Sequence, residues 1–370
     1  MSDRPRLTPL AQSLPATVPF VGPEAQERAR GRPFRARIGA NENGFGPSPH
    51  VLSRMAEAAA EMWKYCDPEN FDLKQALAGH HGVAPENIVV GEGIDGLLGL
   101  VVRLMIEGGA PVVTSLGAYP TFNYHVAGFG GRLVTVPYEN DREALGGLLA
   151  AVKREKAPLV YLANPDNPMG SWWPAEDVSR FIEALPQTTL LVLDEAYGET
   201  APEGTLPPLD ISHPNVLRMR TFSKAYGLAG LRCGYAIGEA GTIQAFDKVR
   251  NHFGVTRMTQ EACLAALADR EHLAGTLQKI ADSRGRIATI ATENGLAALP
   301  SAANFVSIDC GGDGAFAVRV LQALVARDVF VRKPMAPTLD RCIRVSTGPT
   351  PEMDVFAEAF PQALAEARKG

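Results

Sequence analysis

The arrangement of apolar runs constrains the fold of this chain more than any other feature of its sequence. Short apolar runs recur from residue 88 onwards, and helical patterns, such as those at 51–63 and 96–105, precede most of them. This alternation predicts an α/β fold in which helices cover a large, mostly parallel sheet. The predicted strands of that sheet are 88–90, 112–114, 133–136, 159–162, 190–193 and 216–221.

The sequence changes character on both sides of this alternating region. Residues 1–48 are rich in Pro, Gly and Arg without a sustained period, which predicts an N-terminal arm that also forms part of a small domain. Residues 49–250 form the predicted large domain, which carries the ligand site. A small C-terminal α+β domain is predicted over 251–370, with helices at 260–287 and 315–326 and strands at 305–308, 329–331 and 343–346, and a predicted helix at 243–253 crosses its boundary.

Composition limits the classes of function. The 370 residues carry a net charge of -5 and no run of five basic residues, so we do not expect a nucleic-acid partner. Five cysteines without a C-x-x-C pair predict reduced thiols and no metal site. No run reaches about 18 apolar residues and the first residues lack a signal-peptide core, so we expect a cytoplasmic protein without a membrane partner.

Polar residues follow three neighbouring strands of the predicted sheet. Ligands bind beyond the carboxyl ends of the strands in open α/β sheets, so we expect these residues to meet in one site. They are Asn167 after the strand at 159–162, Asp194 and Tyr197 after the strand at 190–193, and Thr221, Ser223 and Lys224 at the end of the strand at 216–221.

A lysine at such a strand end indicates covalent chemistry. The amine of Lys224 can form a Schiff base with an aldehyde cofactor, and enzymes hold pyridoxal 5'-phosphate in this way. Asp194 could pair with the protonated pyridine nitrogen, and Tyr197 and Asn167 could hydrogen-bond the phenolate oxygen of the ring. Each residue alone is explained as well by a strand-end cap or a turn. Together they predict a site for this cofactor.

The phosphate of such a cofactor needs hydrogen-bond donors, which a glycine-rich turn provides. Gly93, Ile94 and Asp95 lie between a predicted strand and a predicted helix, where free backbone N–H groups face an anion. Ser223 and Arg232 add a hydroxyl and a guanidinium group. We therefore expect the phosphate at this turn.

The same turn has a second interpretation, as a dinucleotide-binding motif. Residues 91–96 match G-x-G-x-x-G, which alone suggests a nicotinamide oxidoreductase. Such a fold places an acidic residue about 20 positions further on, and residues 113–115 contain none. The motif therefore favours the phosphate of a smaller cofactor.

Two further residues are candidates for contacts around the ring and the substrate. Phe122 follows a strand at the start of a helix and could form an aromatic face above the ring, although a core phenylalanine explains it nearly as well. Arg344 lies within an apolar run, where an unpaired guanidinium is costly. It predicts either a bound substrate carboxylate or an internal ion pair.

At this point the residues resemble the fold type I aminotransferases, and most closely the histidinol-phosphate aminotransferase group. The motifs that carry the resemblance run in order through most of the chain. They are Ala40 to Asn43, Gly46 to Pro49, Tyr65 before Asp67 and Pro68, Gly93 to Asp95, Pro120 to Phe122, Asn167 and Pro168, Asp194 to Tyr197, Ser223 and Lys224, Arg232, and Arg344.

The resemblance implies a homodimer with shared active sites and an amino donor that reacts with a 2-oxo acid acceptor. Tyr65 would reach the phosphate of the neighbouring subunit's cofactor, and the N-terminal arm would cross the interface. Lys224 would also move a proton between Cα and the cofactor. Substrate-binding residues carried over from the group are Arg344, Arg332, Asn43 and Phe20.

The chain departs from the group at several of these positions. Phe20 stands where a tyrosine commonly contacts the substrate phosphate, and Phe122 also replaces a tyrosine. Ile94 replaces a serine and Met169 a threonine. The more apolar site leaves two donor classes open, histidinol phosphate and aromatic or other hydrophobic amino acids, with 2-oxoglutarate as one acceptor.

Three other functions use parts of the same pattern. A decarboxylase of phosphorylated amino acids needs the same residues and differs in which Cα bond stands perpendicular to the ring. A non-catalytic aminotransferase-like sensor would carry a DNA-binding domain, for which the irregular residues 1–48 leave little room. A nicotinamide oxidoreductase lacks its acidic residue. A pyridoxal phosphate-dependent aminotransferase is therefore the expected function.

Overall fold

The structure is a computed structural model that describes residues 6–16 and 21–369. Its helices are α1 Pro9–Ser13, α2 Pro23–Arg30, α3 Pro49–Ala59, α4 Phe71–His81, α5 Gly93–Met105, α6 Pro120–Gly128, α7 Leu145–Glu155, α8 Ala175–Ala184, α9 Ala240–Ala245, α10 Arg257–Ala268, α11 Arg270–Glu293, α12 Gly314–Ala326 and α13 Thr350–Ala367. Its strands are β1 Ala36–Arg37, β2 Ile88–Gly91, β3 Pro111–Ser115, β4 Arg132–Val136, β5 Leu159–Ala163, β6 Leu190–Asp194, β7 Val216–Thr221, β8 Gly234–Ile237, β9 Ala297–Ala298, β10 Phe305–Asp309, β11 Val329–Phe330 and β12 Cys342–Ser346.

The large sheet has seven strands in the order β2-β8-β7-β6-β5-β3-β4. The strands β7, β6, β5, β3 and β4 are mutually parallel, and β8 pairs antiparallel with both β2 and β7. The predicted mostly parallel, helix-covered sheet is confirmed. The sequence pattern did not predict β8. Residues 222–233, which connect it to β7, contain loops and one 3-10 turn but no α-helix, so the alternation of helices and strands on which the prediction depends is absent there.

Alternating side chains of the central strands build two separate cores. Along β5, Leu159 and Tyr161 pack into the core beneath α5 and α6, whereas Val160 and Leu162 pack into the core beneath α7 and α8. This separation follows from the two-residue period of a strand. Both faces are buried, so the strands read in the sequence as continuous apolar runs. Because β5, β6 and β7 are parallel, their carboxyl ends all lie at the same end of the sheet.

The small domain is built from segments near both ends of the chain. Strands β12, β10 and β9 form an antiparallel sheet, and β1 pairs in parallel with β11. Ala36 and Ile38 are buried in the same core as residues of α12 and α13. The N-terminal segment therefore contributes a strand to this domain before the chain enters the large sheet.

The junction between the two domains differs from the sequence pattern. The predicted helix at 243–253 ends early, as α9 and one 3-10 turn, and the predicted helix at 260–287 is two helices. Asp269 caps the second of them by accepting a hydrogen bond from the His272 N–H at 3.0 Å. Helix α10 packs in the core against β8, as part of the large domain. The predicted boundary at residue 250 stays a prediction, and this packing favours one within α11.

Within residues 6–16 and 21–369, no helix combines the length and the apolar character needed to cross a lipid bilayer.

Candidate active site

A cavity lies at the carboxyl ends of β5, β6 and β7, next to the first turn of α5. It brings together most of the side chains that sequence patterns placed at separate strand ends. The predicted residues that line it are Ile94, Asp95, Asn167, Asp194, Tyr197, Thr221, Ser223, Lys224 and Arg232, and further lining comes from Ala40, Glu42, Tyr119, Tyr161, Ala163, Pro165, Ala196 and Ala229.

Lys224 is half-buried and lines this cavity. Its Nζ donates a hydrogen bond to the carbonyl oxygen of Asn41 at 3.1 Å and lies 5.6 Å from the centre of the Tyr197 ring. Burial, reinforced by the positive charge of Arg344, lowers the pKa of Lys224 to about 8. A lysine with such a pKa is partly neutral near physiological pH and can act as a nucleophile or a base.

Asp194 ends β6 with its carboxylate buried beside the lysine. Its Oδ2 accepts a hydrogen bond from the Tyr161 hydroxyl at 2.7 Å, and its Oδ1 accepts one from the Ala196 N–H at 2.9 Å. Burial raises the pKa of Asp194 to about 6. The carboxylate is thus held in one orientation and would gain from a cationic ligand group.

Tyr197 is also fixed by its surroundings. Its hydroxyl oxygen accepts a hydrogen bond from Asn41 Nδ2 at 3.1 Å, and its ring packs edge-on against Phe305. Burial raises the pKa of the Tyr197 hydroxyl, which therefore stays protonated and able to donate. Sequence patterns missed the orienting roles of Asn41 and Tyr161, because neither stands at a predicted strand end.

The turn at the start of α5 is built for close approach. Gly93 has φ +75°, and a Cβ there would lie 2.7 Å from Nη2 of Arg232. A Cβ on Gly234 would lie 2.7 Å from the Ile94 nitrogen. Only glycine allows both approaches, and the first N–H groups of α5 have no partner within the helix. Arg232 pairs with Asp95 at 3.2 Å, so a guanidinium lies beside these free donors.

The strand end before Lys224 uses one of its polar side chains internally. The Thr221 hydroxyl donates to the Cys233 carbonyl at 3.1 Å and accepts from the Ser223 N–H at 3.0 Å. The Ser223 hydroxyl accepts a long hydrogen bond of 3.5 Å from Arg232 Nη1. Thr221 therefore shapes the loop, whereas Ser223 keeps a hydroxyl available at the cavity.

Arg344 is a half-buried cation that forms no salt bridge with the described residues, although the Asp166 carboxyl lies within electrostatic reach. It donates a hydrogen bond to Asn167 Oδ1, its Cζ lies 5.2 Å from the Phe305 ring centre, and its Nε is buried without a partner in the described part of the chain. Burial lowers its pKa to about 10. The sequence left two interpretations of Arg344 open, an internal ion pair and a bound substrate anion. No ion-pair partner is present among the described residues, so the structure favours an anion of the ligand as the partner of the guanidinium.

Arg332 lies near Arg344 but does not line the cavity. The two residues form a backbone bridge, and Arg332 Nη2 donates to the Val21 carbonyl at 3.1 Å. Burial lowers the pKa of Arg332. The position is compatible with a ligand that extends outwards from Arg344.

Two predicted site residues have other surroundings than expected. Phe122 is fully buried and stacks on Tyr161 at 4.8 Å, so the core interpretation describes it and Tyr119 provides the aromatic ring at the cavity. The Tyr119 hydroxyl donates to Asp95 Oδ1 at 2.7 Å. The position of Tyr119 directly before the proline that begins α6 is the sequence feature that could have indicated this contact with the cavity. Asn43 does not line the cavity, because its amide bonds the Ala225 carbonyl.

Tyr65 lies outside the cavity, with 81% of its surface exposed. Its ring packs 5.1 Å from the exposed ring of Phe253. Such exposure leaves the hydroxyl free for a contact that this chain alone does not make. Phe20, the remaining predicted residue, lies outside the described residues.

Within the described ranges, no group of three His, Cys, Asp or Glu side chains is placed to hold a metal ion.

Comparison with known proteins identifies the family. Residues 37–360 match the family model described as aminotransferase class I and II. The chain belongs to this family. The predicted fold type and the predicted aminotransferase activity are thereby confirmed.

This aminotransferase has near relatives of known structure and sequence. It is 62% identical to the histidinol-phosphate aminotransferase from Sinorhizobium meliloti, solved in complex with pyridoxal-5'-phosphate, with a TM-score of 0.96 over 98% of this chain and 99% of that one. It is 36% identical to histidinol-phosphate aminotransferase 1 of Mesorhizobium japonicum over 89% of this chain and 90% of that protein. Aspartate aminotransferase from Thermus thermophilus, at 22% identity and a TM-score of 0.79, shares the fold.

Proposed function

We propose that this aminotransferase binds pyridoxal 5'-phosphate at Lys224 and transfers the amino group of histidinol phosphate to a 2-oxo acid such as 2-oxoglutarate. The likeness to the Sinorhizobium meliloti enzyme carries the proposal, because 62% identity extends over nearly the whole chain. The cavity supports it with a half-buried lysine, a buried carboxylate and an arginine whose buried Nε has no partner among the described residues.

The residues of the cavity suit each polar part of the cofactor. The raised pKa of Asp194, about 6, means that a cationic partner such as a protonated ring nitrogen would stabilise its charged form. Arg232, beside the free N–H groups at Gly93, suits a phosphate. When bound, the cofactor supplies an electron-withdrawing ring that stabilises negative charge at the Cα of the amino donor.

The protein's own side chains would direct the reaction. Lys224 Nζ would move the proton between the donor's Cα and the C4′ atom of the bound cofactor, a task that needs the partly neutral amine described above. The protonated Tyr197 hydroxyl, and the amide nitrogen of Asn167, would donate to the ring oxygen. Asp194 would keep the ring nitrogen protonated, so that the ring would withdraw electrons from the donor's Cα.

Arg344 would bind the anionic end of the donor. Its buried Nε has no described partner, and its contact with Asn167 ties the substrate position to the ring position. A phosphate carries more charge and more acceptor oxygens than a carboxylate, so it would satisfy this guanidinium and the nearby Arg332 together. Histidinol phosphate therefore suits the site better than a hydrophobic amino acid, whose only anion is its carboxylate.

A donor panel tests the substrate. Cofactor-loaded protein is mixed with histidinol phosphate, phenylalanine, tyrosine or glutamate, and loss of the visible absorbance of lysine-bound cofactor is followed in single turnovers. We expect histidinol phosphate to react with a kcat/KM at least about 100-fold above that of phenylalanine, because the phosphate can pair with Arg344 and Arg332 together, whereas the smaller, singly charged carboxylate of phenylalanine offers fewer acceptor oxygens. Histidinol without phosphate is the matched control and should lose most of this advantage. Faster reaction of an aromatic amino acid would contradict the proposed donor, and release of carbon dioxide would contradict transamination.

The proposal includes a homodimer whose active sites are shared. Tyr65 packs against the exposed ring of Phe253, and Met62 and Trp63, which precede it in the sequence, are exposed as well. Exposed patches of this kind are typical of contact surfaces between proteins. In a dimer, the Tyr65 hydroxyl would contact the cofactor phosphate of the other subunit.

Mixed dimers test this sharing. Tyr65→Ala and Lys224→Ala variants are each expected to be impaired alone, whereas unfolding and refolding them together should restore roughly a quarter of wild-type activity. Random pairing makes about half of the dimers mixed, and each mixed dimer holds one site with both native residues. If Tyr65 acts within its own chain, mixing will restore nothing. The Phe129→Ala variant, changed at another exposed aromatic residue, is the control.

We place this activity in the cytoplasm. All five cysteines are buried and unpaired in the structure. Free thiols are typical of proteins that act in a reducing compartment, which supports the placement.

A further inference from the structure

Glu42 is an acidic residue that lines the cavity, and no step of the proposed reaction involves it. The other two cavity acids are engaged, because Asp95 pairs with Arg232 and Asp194 faces the ring site. The Glu42 side chain is exposed at the cavity and has no hydrogen-bond or salt-bridge partner in the described ranges. A carboxylate without a partner in a ligand cavity is available to the ligand.

The backbone on both sides of Glu42 is held firmly in place. Asn304 Nδ2 donates to the carbonyl oxygens of Asn41 and Glu42 at 3.1 and 3.3 Å. Asn43 is anchored by its hydrogen bond to the Ala225 carbonyl at 3.0 Å. Both flanking residues are buried, whereas Glu42 is exposed. Glu42 is therefore presented to the cavity by a fixed segment, which reduces the entropy that a ligand contact would cost.

The charges around the cavity give Glu42 a distinct position. Its carboxylate lies within electrostatic reach of Lys224, Arg332 and Arg37, whose charged forms it favours. The cations bind an anionic ligand end and repel a cationic one. A single unpaired carboxylate beside them suits a ligand that carries an anion at one end and a hydrogen-bond-donating or cationic nitrogen at the other.

We propose that Glu42 is a specificity-determining residue that accepts a hydrogen bond from a ring N–H of the donor and thereby selects an imidazole over a phenyl ring. This inference rests on the proposed function, which supplies a donor with phosphate and imidazole ends. A bound donor would displace water from the Glu42 carboxylate, and an analogue without a ring N–H would then leave that carboxylate unpaired. Glu42 also affects the charge of Lys224, but that effect applies equally to both kinds of donor.

The experiment compares two donors that differ only in the ring. Histidinol phosphate and phenylalaninol phosphate share the amine and the phosphate, and only the first has a ring N–H. Single-turnover kcat/KM values are measured for both with cofactor-loaded wild-type protein and the Glu42→Ala variant. We expect Glu42→Ala to lower the ratio of the two kcat/KM values about 10- to 100-fold, as for one hydrogen bond to a charged group. Glu203→Ala, changed at an exposed acid outside the cavity, should leave the ratio unchanged.

The outcomes separate this inference from the function on which it rests. If Glu42→Ala leaves the ratio of the two kcat/KM values unchanged, the specificity role is overturned. An equal loss for both donors would then mean that Glu42 only balances the charge of the neighbouring cations. A wild-type protein that reacts with neither phosphate donor would overturn the proposed function and this inference together. A Glu42→Gln variant, which keeps an acceptor oxygen but loses the charge, should show an intermediate ratio.

Discussion

Replacing Lys224 with alanine is expected to lower the rate of transamination roughly 10⁴-fold or more, because one side chain provides both the covalent attachment and the proton transfer. The visible absorbance of lysine-bound cofactor should disappear with it. Both are measured on purified protein, by a spectrum after incubation with pyridoxal phosphate and by single turnover with histidinol phosphate. The thermal midpoint should change little, since the amine's one described hydrogen bond is to the Asn41 carbonyl.

A matched control is Lys153→Ala, which removes an exposed lysine from α7. It should keep both the absorbance band and the activity. If the Lys224→Ala variant still turns over substrate, Lys224 is not the residue that binds the cofactor and transfers the proton.

The lowered pKa of Lys224 adds a pH dependence to this prediction. Only the neutral amine attacks an aldehyde, so the rate of cofactor attachment to the apoprotein should rise with pH and level off above about 8. An ordinary lysine would level off above about 10. A midpoint near that higher value would show that burial and Arg344 do not act on Lys224 as the structure indicates.

The Asp194→Asn change should have the second largest effect, a loss of roughly 10²- to 10³-fold in kcat, which is typical when one electrostatic stabiliser of a developing charge is removed. Asparagine keeps the volume and an oxygen for the Tyr161 hydroxyl, but it cannot hold a proton on the ring nitrogen by charge. The cofactor should still attach to Lys224. Reduced kcat with an intact absorbance band is therefore the expected combination, measured with histidinol phosphate.

Tyr161→Phe is the companion variant. It removes the hydroxyl that donates to Asp194 at 2.7 Å and leaves the carboxylate in place, so we expect a loss of about 10-fold or less. If Asp194→Asn keeps full kcat, the carboxylate does not tune the ring. A larger loss in Tyr161→Phe than in Asp194→Asn would likewise contradict the assignment.

The parallel sheet and its strand ends were predictable because each strand is buried on both faces. Burial makes β5, β6 and β7 continuous apolar runs, and a polar residue at the end of such a run marks the edge where ligands bind. Asp194 and Lys224 were predicted in this way, and both line the cavity. Strand β8 was missed because it follows β7 through a short connection without the helix that marks a parallel crossover.

The aromatic face of the cavity shows where local pattern is insufficient. Phe122 and Tyr119 are both aromatic, three residues apart at the start of α6. Which of them faces the ligand depends on packing against Tyr161, a residue nearly 40 positions away in sequence. The Tyr119 hydroxyl finds a partner in Asp95, whereas Phe122 has no polar atom to satisfy and fits the core.

The fold class, the family and the residues that meet at the strand ends could be predicted from the sequence, because each depends on local periodicity or on an ordered series of motifs. The electrostatics of the site could not, because it depends on contacts between distant segments. Asn41, Asn304 and Ser346 come together from distant segments to fix the loop that carries Glu42 and accepts the Lys224 hydrogen bond. The lowered pKa of Lys224 and the unpaired Nε of Arg344 likewise arise from burial, which is a property of the packed chain and of no short segment within it.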